Sequence, residues 1–152
     1  MYRFFVLAVL LLAMYSDVTA CTSAEWSRES LLKLKADGFP VSEDTDRQRV
    51  IDQLAACLTS PDPVLRDGVA YEGLSTMLRK NALDPQQLRK LRTVLYAQLA
   101  ADDPDGVARP FAALMLSEVA RTDRVATWMD DAERAQMLAL AIDYMKSVRD
   151  YR

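Results

Sequence analysis

Histidine is absent from all 152 residues. That removes imidazole metal ligands, Ser-His-Asp triads and Cys-His dyads from the chemistry this chain performs by itself. Glycine is scarce, at four residues, and none sits in a GxGxxG or GxxxxGK spacing that would cradle a phosphate. No long run of one charge sign exists: 19 basic residues face 22 acidic ones, a net charge of −3. Nucleic acid, which needs a basic patch to neutralise phosphates, is therefore not an expected partner. No metal or cofactor is expected either.

What is present is apolar and helix-forming. About half the residues are hydrophobic (51%) in a chain long enough for one domain with a packed core. Ala, Leu, Arg, Asp and Met dominate, and the fold class expected is all-α.

Residues 1–20 read as a signal peptide. Arg3 supplies the positive start, and the apolar run from Phe4 to Met14 has signal-peptide length and is too short to span a bilayer as a helix. The run Val18-Thr19-Ala20-Cys21 suits signal peptidase and also resembles the lipobox of bacterial lipoproteins, whose cysteine is lipidated. Lipid on Cys21 is the first reading, with the membrane as partner through it. A disulfide from Cys21 to Cys57 in an exported chain ranks below it. Cys57 is otherwise a small buried hydrophobe late in a helix. The chain is expected in the bacterial envelope, as a lipoprotein or in the periplasm.

Helix signals then follow one another along residues 22–152. The first helix spans 25–36, capped by Thr22 or Ser23 and closed by Gly38 and Pro40. The second spans 43–58, with Ser42 as cap and Val50, Ile51, Leu54 and Leu58 on one side. Asp62-Pro63 opens the third, to about residue 80, and Asp84-Pro85 opens the fourth, which carries a stripe of Leu88, Leu91, Leu95 and Leu99. The fifth covers 107–121, a short turn 125–129, and the last helix 131–149, capped by Asp130 or Asp131.

A repeat underlies this order. Pro61, Asp62, Val64, Arg66 and Ala70 recur 43 residues later as Pro104, Asp105, Val107, Arg109 and Ala113. That offset lies within the HEAT and armadillo range. The expected architecture is a short α-solenoid of stacked antiparallel helix pairs, HEAT/armadillo-like, with pairs 43–80 and 84–121 and a half pair 131–149. DPVLRDGVA resembles the second helix of a HEAT repeat. A plain helical bundle is the alternative.

The apolar set of the last helix is broad: Met137, Leu138, Leu140, Ala141, Ile142, Tyr144, Met145 and Val148. It covers about half the circumference, wider than a surface helix needs. The pattern suggests a missing partner helix or a homodimer through residues 131–149. The blocks RDGVAYEGLSTMLRKNAL, RPFAALMLSEVARTD and YMKSVRDYR resemble an uncharacterised bacterial family, domain of unknown function 2785, over residues 26–152. RDG-x-AY is the most specific piece. The resemblance implies a helical-repeat fold, no established activity, and longer members that continue into a Gly-Trp segment with two histidines. On that comparison this chain is truncated at its C-terminus.

Few residues suggest chemistry. A helical wheel sets Asp67 beside Leu74 and Leu78, and Glu118 between Val107 and Phe111, so both acids face the apolar side. Two such carboxylates could act as general acid and base. The simpler reading locks them to Arg66 and Arg109, with Tyr71 as a further partner. Tyr71, Trp26 and Trp128 read as core rather than a ligand platform. The bases Arg79, Lys80, Arg89, Lys90 and Arg92 read as a solvated rim rather than a lipid contact. The expected function is a non-enzymatic binding or scaffold module, taking a protein or peptide on a concave helical face. The alternative is an incomplete piece of an enzyme whose remaining site residues lie beyond Arg152.

Overall fold

The computed structural model describes residues 21–40 and 44–149. The expected signal peptide, and the Ser42 cap with Glu43, lie outside the described residues. Those described form six helices and no strand. None of these helices is long and apolar enough to cross a membrane.

Helix α1, Arg28–Ala36, starts three residues later than expected. Its cap is Ser27, whose side chain accepts from the Ser30 N–H, while Ser23 closes a turn by accepting from the Trp26 N–H at 3.0 Å. Gly38 (φ +75°) and Phe39 (φ +57°) turn the chain in the left-handed region, and the Phe39 N–H reaches the Leu34 carbonyl at 3.0 Å. This C-terminal turn drives the Phe39 ring into the core.

Helix α2, Asp44–Cys57, buries Val50, Ile51 and Leu54. Helix α3 opens at Pro63–Leu65, passes through a π-helical stretch Arg66–Tyr71 and continues as Glu72–Arg79. Its cap is Asp62, which accepts from the Val64 N–H at 2.9 Å. Asn81 at φ +52° ends it, a conformation an Asn tolerates. Helix α4, Pro85–Ala100, begins with a capping box between Asp84 and Gln87 and buries all four leucines of its stripe.

Helix α5 runs Ala108–Val125, past the expected stop at residue 121. Thr122 and Asp123 face inward and are bonded there, so the helix continues as far as the first residue of the expected turn. The segment after it bends at Ala126 and is then irregular, held where Asp123 accepts the N–H groups of Trp128 and Met129, each at 2.8 Å. Helix α6, Asp131–Ser147, starts with a capping box between Asp130 and Glu133.

The closest backbone packing joins α4 to α5. Helix α2 packs on α3 and on α4, α3 on α5, and α1 on α3. One hydrophobic core runs through these five helices. The approach of α3 is close because Gly73 has no side chain: a Cβ there would lie 2.6 Å from the Phe39 ring and 2.9 Å from Leu54. Helix α6 stands further off. Of its residues only Met137 is buried, and side chains rather than close backbone contact hold it.

Candidate functional site

The π-helical stretch decides what α3 presents. Buried residues recur there at spacings of four and of five, the latter joining Leu65 with Ala70 and Val69 with Leu74. The spacing of five is the i to i+5 period of a π-turn. Arg66 and Tyr71 obey the same spacing, and both reach Phe111 of α5. The Arg66 guanidinium lies over the Phe111 ring, 4.8 Å from its centroid, and the Tyr71 ring meets it edge-on at 6.1 Å. Arg66 also donates to the Ser60 carbonyl at 3.2 Å and to Asp67 at 2.7 Å.

Asp67 does not face the core. Its side chain is 52% exposed. The wheel expectation fails because each residue of the π stretch turns the chain by less than an α residue does. Over the stretch the lag reaches about one residue, or ~100°. The acid is swung outward and keeps Arg66 as its partner.

Glu118 is enclosed as expected, with different partners. It accepts from Arg79 at 2.6 Å and from Arg121 at 2.9 Å. The hydrogen bond from Arg79 holds its carboxyl below the usual range, against the opposing effect of burial. Asp67 and Glu118 share no bond and no partner, so the two acids are not brought into one acid–base pair.

Arg109 binds neither acid, contrary to the expected lock. It donates to the Leu99 carbonyl and to Ser147 Oγ, each at 3.0 Å, and lies over the Tyr144 ring at 5.6 Å. The reason lies at the start of α5. Asp103 accepts the N–H groups of Val107, Ala108 and Arg109, which fixes this first turn with Arg109 directed at α4 and α6. Burial would raise the Asp103 carboxyl, and these backbone donors outweigh it and lower it.

The Cys21 sulfur is bonded to that of Cys57, with the two Cα atoms 4.3 Å apart. A thioether-linked lipid would need that same sulfur, so the preference for lipid on Cys21 gives way to the disulfide. Gln53 on α2 donates to the Cys21 carbonyl at 2.6 Å and fixes the segment further. Beside it opens a groove of about 760 Å³, bordered by Cys21, Thr22, Arg28, Ser60 and Asp62. The hydroxyl and carboxyl groups there serve mainly as helix caps.

The sequence reading missed the ionic clasp of α6. Glu133 accepts from Arg89 at 2.9 Å and from Arg92 at 2.7 Å, both on α4. Arg89 pulls its carboxyl down to about 2, and the Asp130 N–H adds to this. Asp123 accepts from Arg134 at 2.8 Å, which lowers it to about 2. Trp128 lies between, under Arg89 and Arg92, each 5.5 Å from its ring. Two bases of the expected solvated rim are thus structural, and Arg79 holds Glu118. Trp26, Trp128 and Tyr71 all pack against the core. Among the described residues no group of His, Cys, Asp and Glu could hold a metal ion.

Residues 95–152 match the family model described as "Protein of unknown function (DUF2785)". The match covers somewhat more than a third of the chain. It holds α5, α6 and two of the three blocks that resemble DUF2785, while RDGVAYEGLSTMLRKNAL on α3 falls outside it. No match was found among curated proteins or among solved structures.

Proposed function

We propose that the chain is an exported, non-enzymatic helical-repeat module that binds a protein or peptide segment on the surface shared by α3 and α5. The observation that carries this is the Arg66–Phe111–Tyr71 cluster, with Val64 and Leu114 on the same two helices each 45% exposed. Arginine and tyrosine are residue types enriched at binding hot spots, and the exposed Val64 and Leu114 add apolar area for a partner to cover. Asp67 and Glu118 are each held by arginine, which favours binding over an acid–base reaction by an incomplete enzyme.

Two further observations support the repeat and the export. Helix α2 packs on α4 and α3 on α5. The hydrogen bonds from Gln87 to the Asp44 carbonyl and from Gln98 to the Ala55 carbonyl each span 43 residues, the offset of the sequence repeat. This favours successive HEAT-like pairs over a plain bundle. A disulfide that closes a 36-residue separation fits an oxidising compartment, the envelope or periplasm.

The test places a photo-crosslinking side chain at Leu114 in cells that export the chain. One discrete adduct is expected, competed by excess unmodified chain and lost in Tyr71→Ala and Val64→Asp variants that melt normally. Scattered adducts, or one that both variants leave intact, would overturn the proposal.

A further inference from the structure

We propose that the chain pairs with a second copy of itself through the outward face of α6, the two helices antiparallel and crossing near Leu138. The inward face is defined by Glu133, Met137, Leu140 and Tyr144, which meet the rest of the molecule. At 100° per residue the opposite face carries Asp131, Ala135, Leu138, Ala139, Ile142 and Lys146. Leu138 is 62% exposed, and Ala135 and Ala139 are exposed beside it. An apolar stripe on both sides of one helix is the pattern of an element covered on both sides.

The charges choose the occupant. Asp131 stands seven residues before Leu138, and Lys146 seven residues after Ala139. Ala135 and Ile142 are likewise placed three residues either side of the same centre. A two-fold axis at Leu138/Ala139 sets Asp131 against the second copy's Lys146, and Ala135 against its Ile142. The contact is then isologous, each side supplying what the other lacks. Asp131 is fully exposed, and among the described residues its carboxylate pairs with Arg134 at 3.0 Å, which leaves room for a second cation. The antiparallel order also sets the positive end of each helix dipole beside the negative end of the other. This surface is separate from the α3–α5 face and does not rest on its proposed use.

Sedimentation equilibrium over a range of concentrations tests the pairing. A reversible dimer is expected, weakened about thirtyfold or more by Leu138→Glu. Lys146→Asp alone should weaken it, and Asp131→Lys with Lys146→Asp should restore it, each variant melting as a folded protein. Leu138→Cys should yield a cross-linked dimer on oxidation and Val125→Cys should not. A monomer at every concentration, a dimer indifferent to Leu138→Glu, or a complex formed through α6 only with a different protein would overturn the proposal.

Discussion

Glu133 on α6 and Arg92 on α4 meet at 2.7 Å with side chains only 16% and 10% exposed, the most enclosed ion pair among the described residues. A helix with one buried side chain depends on such a pair more than a core helix would. Glu133→Ala removes the acceptor of both Arg89 and Arg92 and half of the α6 capping box. The expected loss is about 2–3 kcal/mol in chemical denaturation. Hydrogen exchange should show it first in α6, with α2 to α5 still protected. Glu133→Gln, which keeps an acceptor, should lose less.

Stability should fall on acidification through these same carboxylates. Glu133 and Asp123 are both depressed to about 2 in the folded chain. A depressed carboxyl contributes stability above its unfolded pKa, and that contribution fades as pH falls through the folded value. Melting temperature should therefore drop between the ordinary carboxylate range and about pH 2. The drop should shrink in Arg134→Met and Glu133→Gln variants. An equal pH slope in those variants would remove Asp123 and Glu133 as its source.

Reduction of the Cys21–Cys57 bond releases a loop with a sequence separation of 36 residues. The chain-entropy estimate for a loop of this length is about 4 kcal/mol. Denaturation midpoints with and without reductant should differ accordingly, and Cys21→Ser should match the reduced chain.

Gly73→Ala should destabilise. In an exposed helix the exchange gains about 0.5–1 kcal/mol. Here the new methyl meets the Phe39 ring and Leu54 at under 3.0 Å, and overpacking of this kind costs about 1–3 kcal/mol. Phe39→Leu should relieve part of the loss, a coupling that a double-mutant cycle reads directly.

Asp67→Ala should cost less than about 1 kcal/mol, because the acid is exposed and its pair with Arg66 is a surface one. The inward orientation expected from the wheel would have made the same change cost about 3–5 kcal/mol. Thermal melts separate the two.

Local chemistry was legible in the sequence. Asp62-Pro63, Asp84-Pro85 and Asp130 each start a helix where their residue types say they should, and the leucines of α4 are buried as a stripe. Interactions between distant residues were not legible. Arg92 and Glu133 are 41 residues apart, and Asp130 three residues before Glu133 reads as a cap and nothing more. Arg109 follows the same logic: its repeat position matches Arg66, but the Asp103 turn aims it elsewhere. Two cysteines allow a disulfide without selecting it, and only the fold sets Cys21 beside Cys57. The swing of Asp67 needed the π stretch, which RDGVAY does not announce.

That stretch means α3 contains one residue more than a regular helix of its length would hold. Removing Gly68 should let the turn close on the ordinary i to i+4 bonds with little change in overall length. The ~100° lag of the π stretch equals the turn of the one residue removed, so everything before the deletion would keep its angle to everything after it. Arg66 and Tyr71 would then stand four positions apart and still both face the Phe111 ring, while Leu74, Met77 and Leu78 stayed in the core. The extra residue is in this sense a spliced-in link, absorbed by the helix without turning either end away from α5.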